Sequence, residues 1–220
     1  QHPKRGIILP NDFIPVAEST GLILPLGELI IEQACVLLAR WKPNLSKDFY
    51  LAINLSAKQF YRQSLPELFA KYLAQYDIAP SLIHLEVTES LLMRNENKAK
   101  ENLDALREFG FELWLDDFGV GYSSLSYLRE FKIDGLKIDK SFVADICIDL
   151  EDSRLCAGIM LLARELGIRV VAEGIEHIGQ IDFLRSRLCY VGQGHYFAEA
   201  LPTAEFEQRY IKGEGIIATV

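Results

Sequence analysis

Two different spacings of apolar residues run along the chain. From about Pro25 to Trp41 the residues Leu26, Ile30, Ile31, Ala34, Leu37 and Leu38 recur at helical spacing, which predicts a helix with one face in the core. Ahead of it, Asn11-Asp12 can cap a short helix running to Glu18, with Pro15 near its first turn, and residues 1 to 10 read as loop. Beyond residue 49 the pattern becomes short apolar runs, each too brief for a helix and each followed by an amphipathic segment. The runs are Tyr50 to Leu55, Leu82 to Val87, Phe111 to Asp116, Ile133 to Ile138, Ile168 to Ala172 and Cys189 to Gly192. Helices are expected from the capping box Ser64-Leu65-Pro66-Glu67 to Tyr76, from Asn97 to Phe109, near Ser124 to Glu130, from Glu151 to Leu166, from Ile178 to Arg187 and near Thr203 to Tyr210. Gly110 and Gly167 suit helix stops.

Six such alternations, with strands too apolar to be buried on one face only, predict a mostly parallel sheet covered by helices. Right-handed crossovers then gather all strand C-termini on one side. Asn54, Glu86, Asp116, Asp117, Lys137, Asp139, Glu173 and Gln193 all fall at those ends. In a (β/α)8 barrel that side holds the active site, and in an open doubly wound sheet it is the crevice at the switch point. No Gly-x-Gly-x-x-Gly follows a first strand, which disfavours dinucleotide binding, and six strands are two short of a closed barrel.

The stretch from Leu113 to Ser124 is the centre of this arrangement. An apolar run meets two adjacent carboxylates and then Gly119-x-Gly121. Neighbouring strand residues point to opposite faces, so Asp116 and Asp117 can share a site only if the strand ends there and the backbone turns, a turn that the glycines permit.

Composition sharpens the picture. With 220 residues, half of them apolar, the chain can build one substantial core, and a single domain is expected. A formal charge of −8 argues against binding a DNA or RNA polymer, so an anionic substrate has to be met by metal ions or a few placed cations. Cys35, Cys147, Cys156 and Cys189 are scattered without metal-ligand spacing and read as reduced, mostly buried residues of a cytoplasmic protein. The sequence shows no signal peptide or membrane span, so membrane contact is not expected from this chain.

Carboxylates converging on one pocket repel one another unless cations neutralise them. Hard oxygen ligands suit Mg²⁺ or Mn²⁺, and two such ions about 4 Å apart would make a phosphodiester-cleaving site. Glu86, Asp116 and Asp117 supply charge, Asn54 a neutral oxygen, and Lys137 a cation for a phosphate oxygen or the attacking water. The rival reading is a Schiff-base enzyme with Lys137 as nucleophile, which the neighbouring acids oppose by keeping the amine protonated. His2, His84, His177 and His195 are dispersed and show no Ser-His or Cys-His pairing.

These residues also resemble a known family. Ile53-Asn54-Leu55-Ser56-Ala57, Glu86-Val87-Thr88-Glu89-Ser90, Leu115-Asp116-Asp117-Phe118-Gly119-x-Gly121-Tyr122-Ser123-Ser124-Leu125, Leu136-Lys137-Ile138-Asp139-x-Ser141-Phe142-Val143, Val171-Ala172-Glu173-Gly174-x-Glu176 and Gln193-Gly194 are similar to the successive signatures of EAL domains. Phe13-Ile14-Pro15 and Gly21-Leu22-Ile23 match the region after the name-giving motif. The resemblance implies a modified (β/α)8, TIM-like barrel of the α/β class that hydrolyses the second messenger cyclic di-GMP to linear pGpG with two Mg²⁺ or Mn²⁺ ions. It also implies a homodimer, in a bacterial signalling protein fused to sensory or GGDEF domains that can itself be membrane-anchored. By position, Asn54, Glu86, Asp116, Asp117 and Glu173 would hold metal and Lys137 would assist the hydrolytic water. Glu89 would brace the loop from Phe118 to Ser124, Asp139 and Gln193 would support the metal site, and Asp117, Phe118, Gly119 and Gln193 would meet substrate.

Three departures from the family pattern stand out. The Glu-Ala-Leu motif would precede His2-Pro3, so residues 1 to 220 read as an EAL domain lacking its first two strands and first metal-binding Glu, and inactive alone. Val120 and His177 stand where the family has Thr. The alternative within the family is a degenerate domain that binds cyclic di-GMP without cutting it.

Overall fold

The strand segments Ile83–Val87 and Gly135–Ile138 are buried on both faces, so helices must cover the side that the functional pocket does not use. The computed structural model describes residues 2–62, 64–120, 128 and 130–213. Strands β1 (Leu51–Asn54), β2 (Ile83–Thr88), β3 (Glu112–Phe118), β4 (Gly135–Ile138) and β5 (Arg169–Ala172) pair side by side, all parallel and in sequence order. An order that never reverses is that of a barrel wall, since a doubly wound sheet reverses at its switch point.

The helices before, between and after the strands are α1 (Pro10–Thr20), α2 (Ile23–Trp41), α3 (Ala57–Arg62), α4 (Leu65–Tyr76), α5 (Glu89–Leu92), α6 (Glu96–Phe109), α7 (Lys140–Ala144), α8 (Leu150–Glu165), α9 (Ile178–Arg185) and α10 (Thr203–Phe206). Alternation sends Ile53, Leu85, Leu113 and Leu136 outward into one core with Leu38, Phe69, Leu103 and Cys156 of the helices. Each fully buried Leu or Phe there contributes about 1.5–3 kcal/mol of transfer free energy. The other face carries Tyr50, His84, Glu86, Trp114 and Lys137.

The structure corrects several expectations. Cys189 to Gly192 is not a strand: it meets β5 through a single parallel bridge, Ala172 with Gly192, supported by the Gln193 N–H donating to the Ala172 carbonyl at 2.8 Å. Its residues Tyr190 and Val191 are about half exposed, too little burial for a covered parallel strand. The Ser64 side chain accepts no capping hydrogen bond, and α4 starts with Pro66 in its first turn instead. Helix α1 opens at Pro10 rather than Asn11, leaving Pro15 inside it. The short helices α3, α5 and α7 escape a reading by hydrophobic period because four to six residues hold too few turns to show one. The helix expected near Ser124 to Glu130 lies largely outside the described residues.

After α10 comes a π-helical turn, Glu207–Ile211. The Glu207 carboxylate there accepts from Trp41 Nε1 at 2.9 Å and from Arg40 at 2.8 Å, tying this segment to α2.

Candidate metal centre

Strand alternation and register set the site. Asn54 ends β1 opposite Glu86 of β2, and Thr88 lies opposite Asp116 of β3. Lys137 on β4 shares its face with Gly135, and Glu173 follows the last residue of β5. Lys137 Nζ lies 2.6 Å from Glu173 Oε1, 2.9 Å from Glu86 Oε2 and 3.1 Å from Asp116 Oδ1. Only 8% of the lysine side chain and 7% of that of Glu86 is exposed, so these contacts are made in a nearly dry setting.

The pairing of Asp116 with Asp117 has a different cause from the expected one. The strand does not end at Asp116. Leu115 pairs with Leu136 and Phe118 with Ile138, three steps on β3 against two on β4, so β3 carries a bulge. Asp117 is the residue that accommodates it, with φ +54 in the left-handed region that Asp tolerates better than most residues. Gly119 follows with φ +102, and Gly121 lies outside the described residues. The bulge breaks the alternation, and carboxylate oxygens of Asp116, Asp117 and Glu173 come within 4.8 Å of one another.

The electrostatics follow from these positions. Burial opposes the charge on Lys137, but Glu86, Glu173 and Asp116 outweigh it and hold the ammonium well above the ordinary lysine pKa. Burial pushes the carboxyls of Glu86 and Glu173 up, with Lys137 pulling each part of the way back. Asp117 is also raised, by burial and then by Asp116 and Asp139. One lysine thus faces four carboxylates. A protonated Lys137 cannot act as an amine nucleophile, which removes the Schiff-base reading. The all-oxygen donor set and its surplus negative charge fit a hard divalent cation.

The other expected residues are placed as follows. Asn54 is exposed at the mouth of β1. Asp139 caps α7, accepting from Ser141 N at 2.9 Å and Ser141 Oγ at 2.5 Å. Gln193 is exposed beside the end of β5, fixed there by its backbone. Glu89 opens α5 and is buried against Leu92, Leu115 and Phe131 around a small cavity. The loop it is expected to brace lies mostly outside the described residues. The Phe118 ring is buried in the core, so of Phe118 and Gly119 mainly backbone is offered to a ligand. Val120 is exposed and its N–H donates to the Asp117 carbonyl at 3.4 Å.

Two supporting residues were missed. Gln180 is buried with every polar group satisfied: Oε1 accepts from Glu176 N at 2.7 Å and His177 N at 2.8 Å, and Nε2 donates to the Val143 carbonyl at 3.0 Å. It therefore locks the loop after Glu173 onto α7. Its place in the first turn of α9, behind Glu176-His177, is the position of a capping-box glutamine and carried that signal. Phe142 of α7 packs so closely on Gly119 that a Cβ there would lie 2.7 Å from its ring.

Known proteins resemble this chain in sequence and fold. The family model of the EAL domain matches residues 1–200. The signaling protein YkoW of Bacillus subtilis is 41% identical over 210 residues, which are 96% of this chain and 26% of YkoW. The bifunctional diguanylate cyclase/cyclic di-GMP phosphodiesterase MucR of Pseudomonas aeruginosa is 37% identical over 93% of this chain and 30% of its own length. The chain thus spans about a quarter to a third of these curated relatives. Among solved structures, the PaMucR phosphodiesterase in complex with c-di-GMP superposes with a TM-score of 0.89 at 36% identity, covering 93% of this chain and 83% of that one. Klebsiella pneumoniae BlrP1 with manganese and cyclic di-GMP gives 0.72 at 30% identity, covering 80% of this chain and 44% of that one. In fold, in the α/β barrel wall and in sequence across nearly its whole length, the chain belongs to the EAL domain family.

Proposed function

We propose that the domain to which this chain belongs hydrolyses cyclic di-GMP to linear pGpG as a metal-dependent phosphodiesterase. The observation that carries the reading is the cluster at the strand ends, where Lys137 is ringed by Glu86, Asp116 and Glu173 with Asp117 alongside. Asn54, Glu86, Asp116, Asp117 and Glu173 would hold one or two Mg²⁺ or Mn²⁺ ions, which supply Lewis-acid activation of water and of the scissile phosphate. Lys137, held protonated, serves as a fixed cation that orients the attacking water and neutralises charge growing on the phosphate oxygens. Asp139 and Gln193 support the metal-binding loops from α7 and from the segment beside β5. Asp117, Phe118, Gly119 and Gln193 form the rim that meets the dinucleotide, and Glu89 braces that rim from below.

The name of MucR supports a place for this domain beside a diguanylate cyclase in a longer signalling protein. From the family resemblance we assign the chain to the cytoplasmic side and to a homodimer; no helix among the described residues is long and apolar enough to cross a membrane. The test is incubation of the purified full-length protein with cyclic di-GMP and Mn²⁺ or Mg²⁺, with pGpG followed by chromatography. Formation of pGpG that stops in excess EDTA and is inhibited by Ca²⁺ supports the proposal. Tight binding with no pGpG in either metal would make the domain a receptor instead.

A further inference from the structure

Below the acidic cluster, on the same face of the sheet, flat side chains lie one on another. Tyr50 stacks on His84 at 3.7 Å between ring centroids, His84 lies 5.2 Å from Trp114 with the planes 15° apart, and the Arg169 guanidinium sits 5.1 Å over the indole. Glu112 fixes two of these groups, pairing with His84 Nε2 at 2.6 Å and with Arg169. Trp114 is 4% exposed, and its partner across the β3–β4 ladder is Gly135. A Cβ at Gly135 would lie 2.4 Å from the indole carbons, so the large residue on one strand depends on the absent side chain on the next. Register also places Trp114 opposite Glu86. Two residues further along the same strands, on the same face, stand Asp116 and Lys137.

We propose that Trp114 is a positioning residue for the metal centre: its indole, laid over Gly135 and held by His84 and Arg169, is the dry floor that keeps Lys137, Glu86 and Asp116 in fixed contact. The ion pairs of Lys137 are confined only while water is kept from them, because their attraction weakens steeply as the surrounding dielectric rises. With the indole gone, water enters from below and the ammonium and carboxylates gain alternative partners and rotamers. A second layer of this kind governs metal affinity as well as turnover. The inference rests on the metal-site reading only for its second readout.

The test compares wild type, Trp114→Leu, and the double variant Trp114→Leu/Gly135→Phe, which returns an aromatic ring from the neighbouring strand. Leu103→Ala on α6 is the control for core loss away from the site. In metal-free protein, reductive methylation of Lys137 read by mass spectrometry should be about tenfold faster in Trp114→Leu through local opening. Mn²⁺ affinity measured by electron paramagnetic resonance should fall by about 10- to 100-fold. Both should recover in the double variant and be unmoved in Leu103→Ala. Wild-type protection of Lys137 in folded Trp114→Leu, or equal losses in Leu103→Ala, would overturn the proposal. Wild type that binds no Mn²⁺ would defeat the metal reading, and methylation would still decide the floor. If Trp114→Leu does not fold, Trp114→Phe carries the same readouts with smaller shifts expected, and unchanged values there would overturn the proposal too.

Discussion

Lys137 is a buried cation with more negative neighbours than it can neutralise, and this imbalance defines the site. Removing a charge from it should disable the chemistry without touching the core. Asp116→Asn is expected to lower turnover at least about 100-fold, with an unchanged circular dichroism spectrum, since ligand and supporting groups of metal sites carry effects of that order. Lys137→Ala should lower kcat by about 10²- to 10³-fold, the usual loss on removing one fixed donor to developing charge, with KM changed little. A variant with normal kcat and weakened binding would show that the amine serves substrate affinity alone. The carboxylates also predict a pH dependence. Glu86 is raised above its ordinary 4.5 in the folded protein, so the fold binds that proton more tightly than the unfolded chain does. Its contribution to stability is present below the ordinary carboxylate range and is lost as pH rises through the raised value. In metal-free protein the melting temperature of wild type relative to Glu86→Gln should therefore fall as pH rises above the ordinary carboxylate value of 4.5. Added Mn²⁺ should cancel that fall, and a difference that rises with pH would contradict the assignment.

At the scale of elements, the bulge in β3 brings two adjacent carboxylates to one cluster. It is held from outside by α7, whose Phe142 abuts Gly119. Gly119→Ala meets both a φ of +102 and a Cβ 2.7 Å from that ring, and should cost about 1–3 kcal/mol in urea denaturation together with weaker metal binding. Adding Phe142→Ala removes the clash but not the backbone strain, so it should restore only part of the loss. Full recovery would locate the whole cost in the clash. The bulge also marks the limit of what the sequence conveys. The clustering of Glu86, Asp116, Lys137 and Glu173 was legible because each is a polar residue at the C-terminal end of an apolar run, and parallel pairing then brings such ends together. The left-handed Asp117 was not, because no glycine stands there to announce it. The missing sixth strand was misread because Tyr190 and Val191, beside the buried Cys189, are apolar yet about half exposed in space. The fit of Trp114 to Gly135 depends on register between strands that no local pattern specifies.

For the molecule as a whole, the sheet has two unlike edges. Beyond β5, the segment around Gly192 returns hydrogen bonds to Ala172, so that edge is covered. Among the described residues no strand pairs with the outer edge of β1, and beside it opens a cavity of about 330 Å³ walled by Trp41, Phe49, Tyr50 and Phe206. An open edge is a template for pairing with another chain. Residues 1 to 220 purified alone should therefore associate with rising concentration, as read by sedimentation velocity. Ala52 is exposed on that strand, and its neighbours Leu51 and Ile53 point to the opposite, covered face. Ala52→Lys places a charge beside the open ladder without entering the core, a device by which natural edge strands resist pairing, and should shift the protein back towards monomer. If wild type stays monomeric at every concentration, or if Ala52→Lys associates as strongly as wild type, the contact does not run through β1 and the edge is protected by the aromatic residues around it.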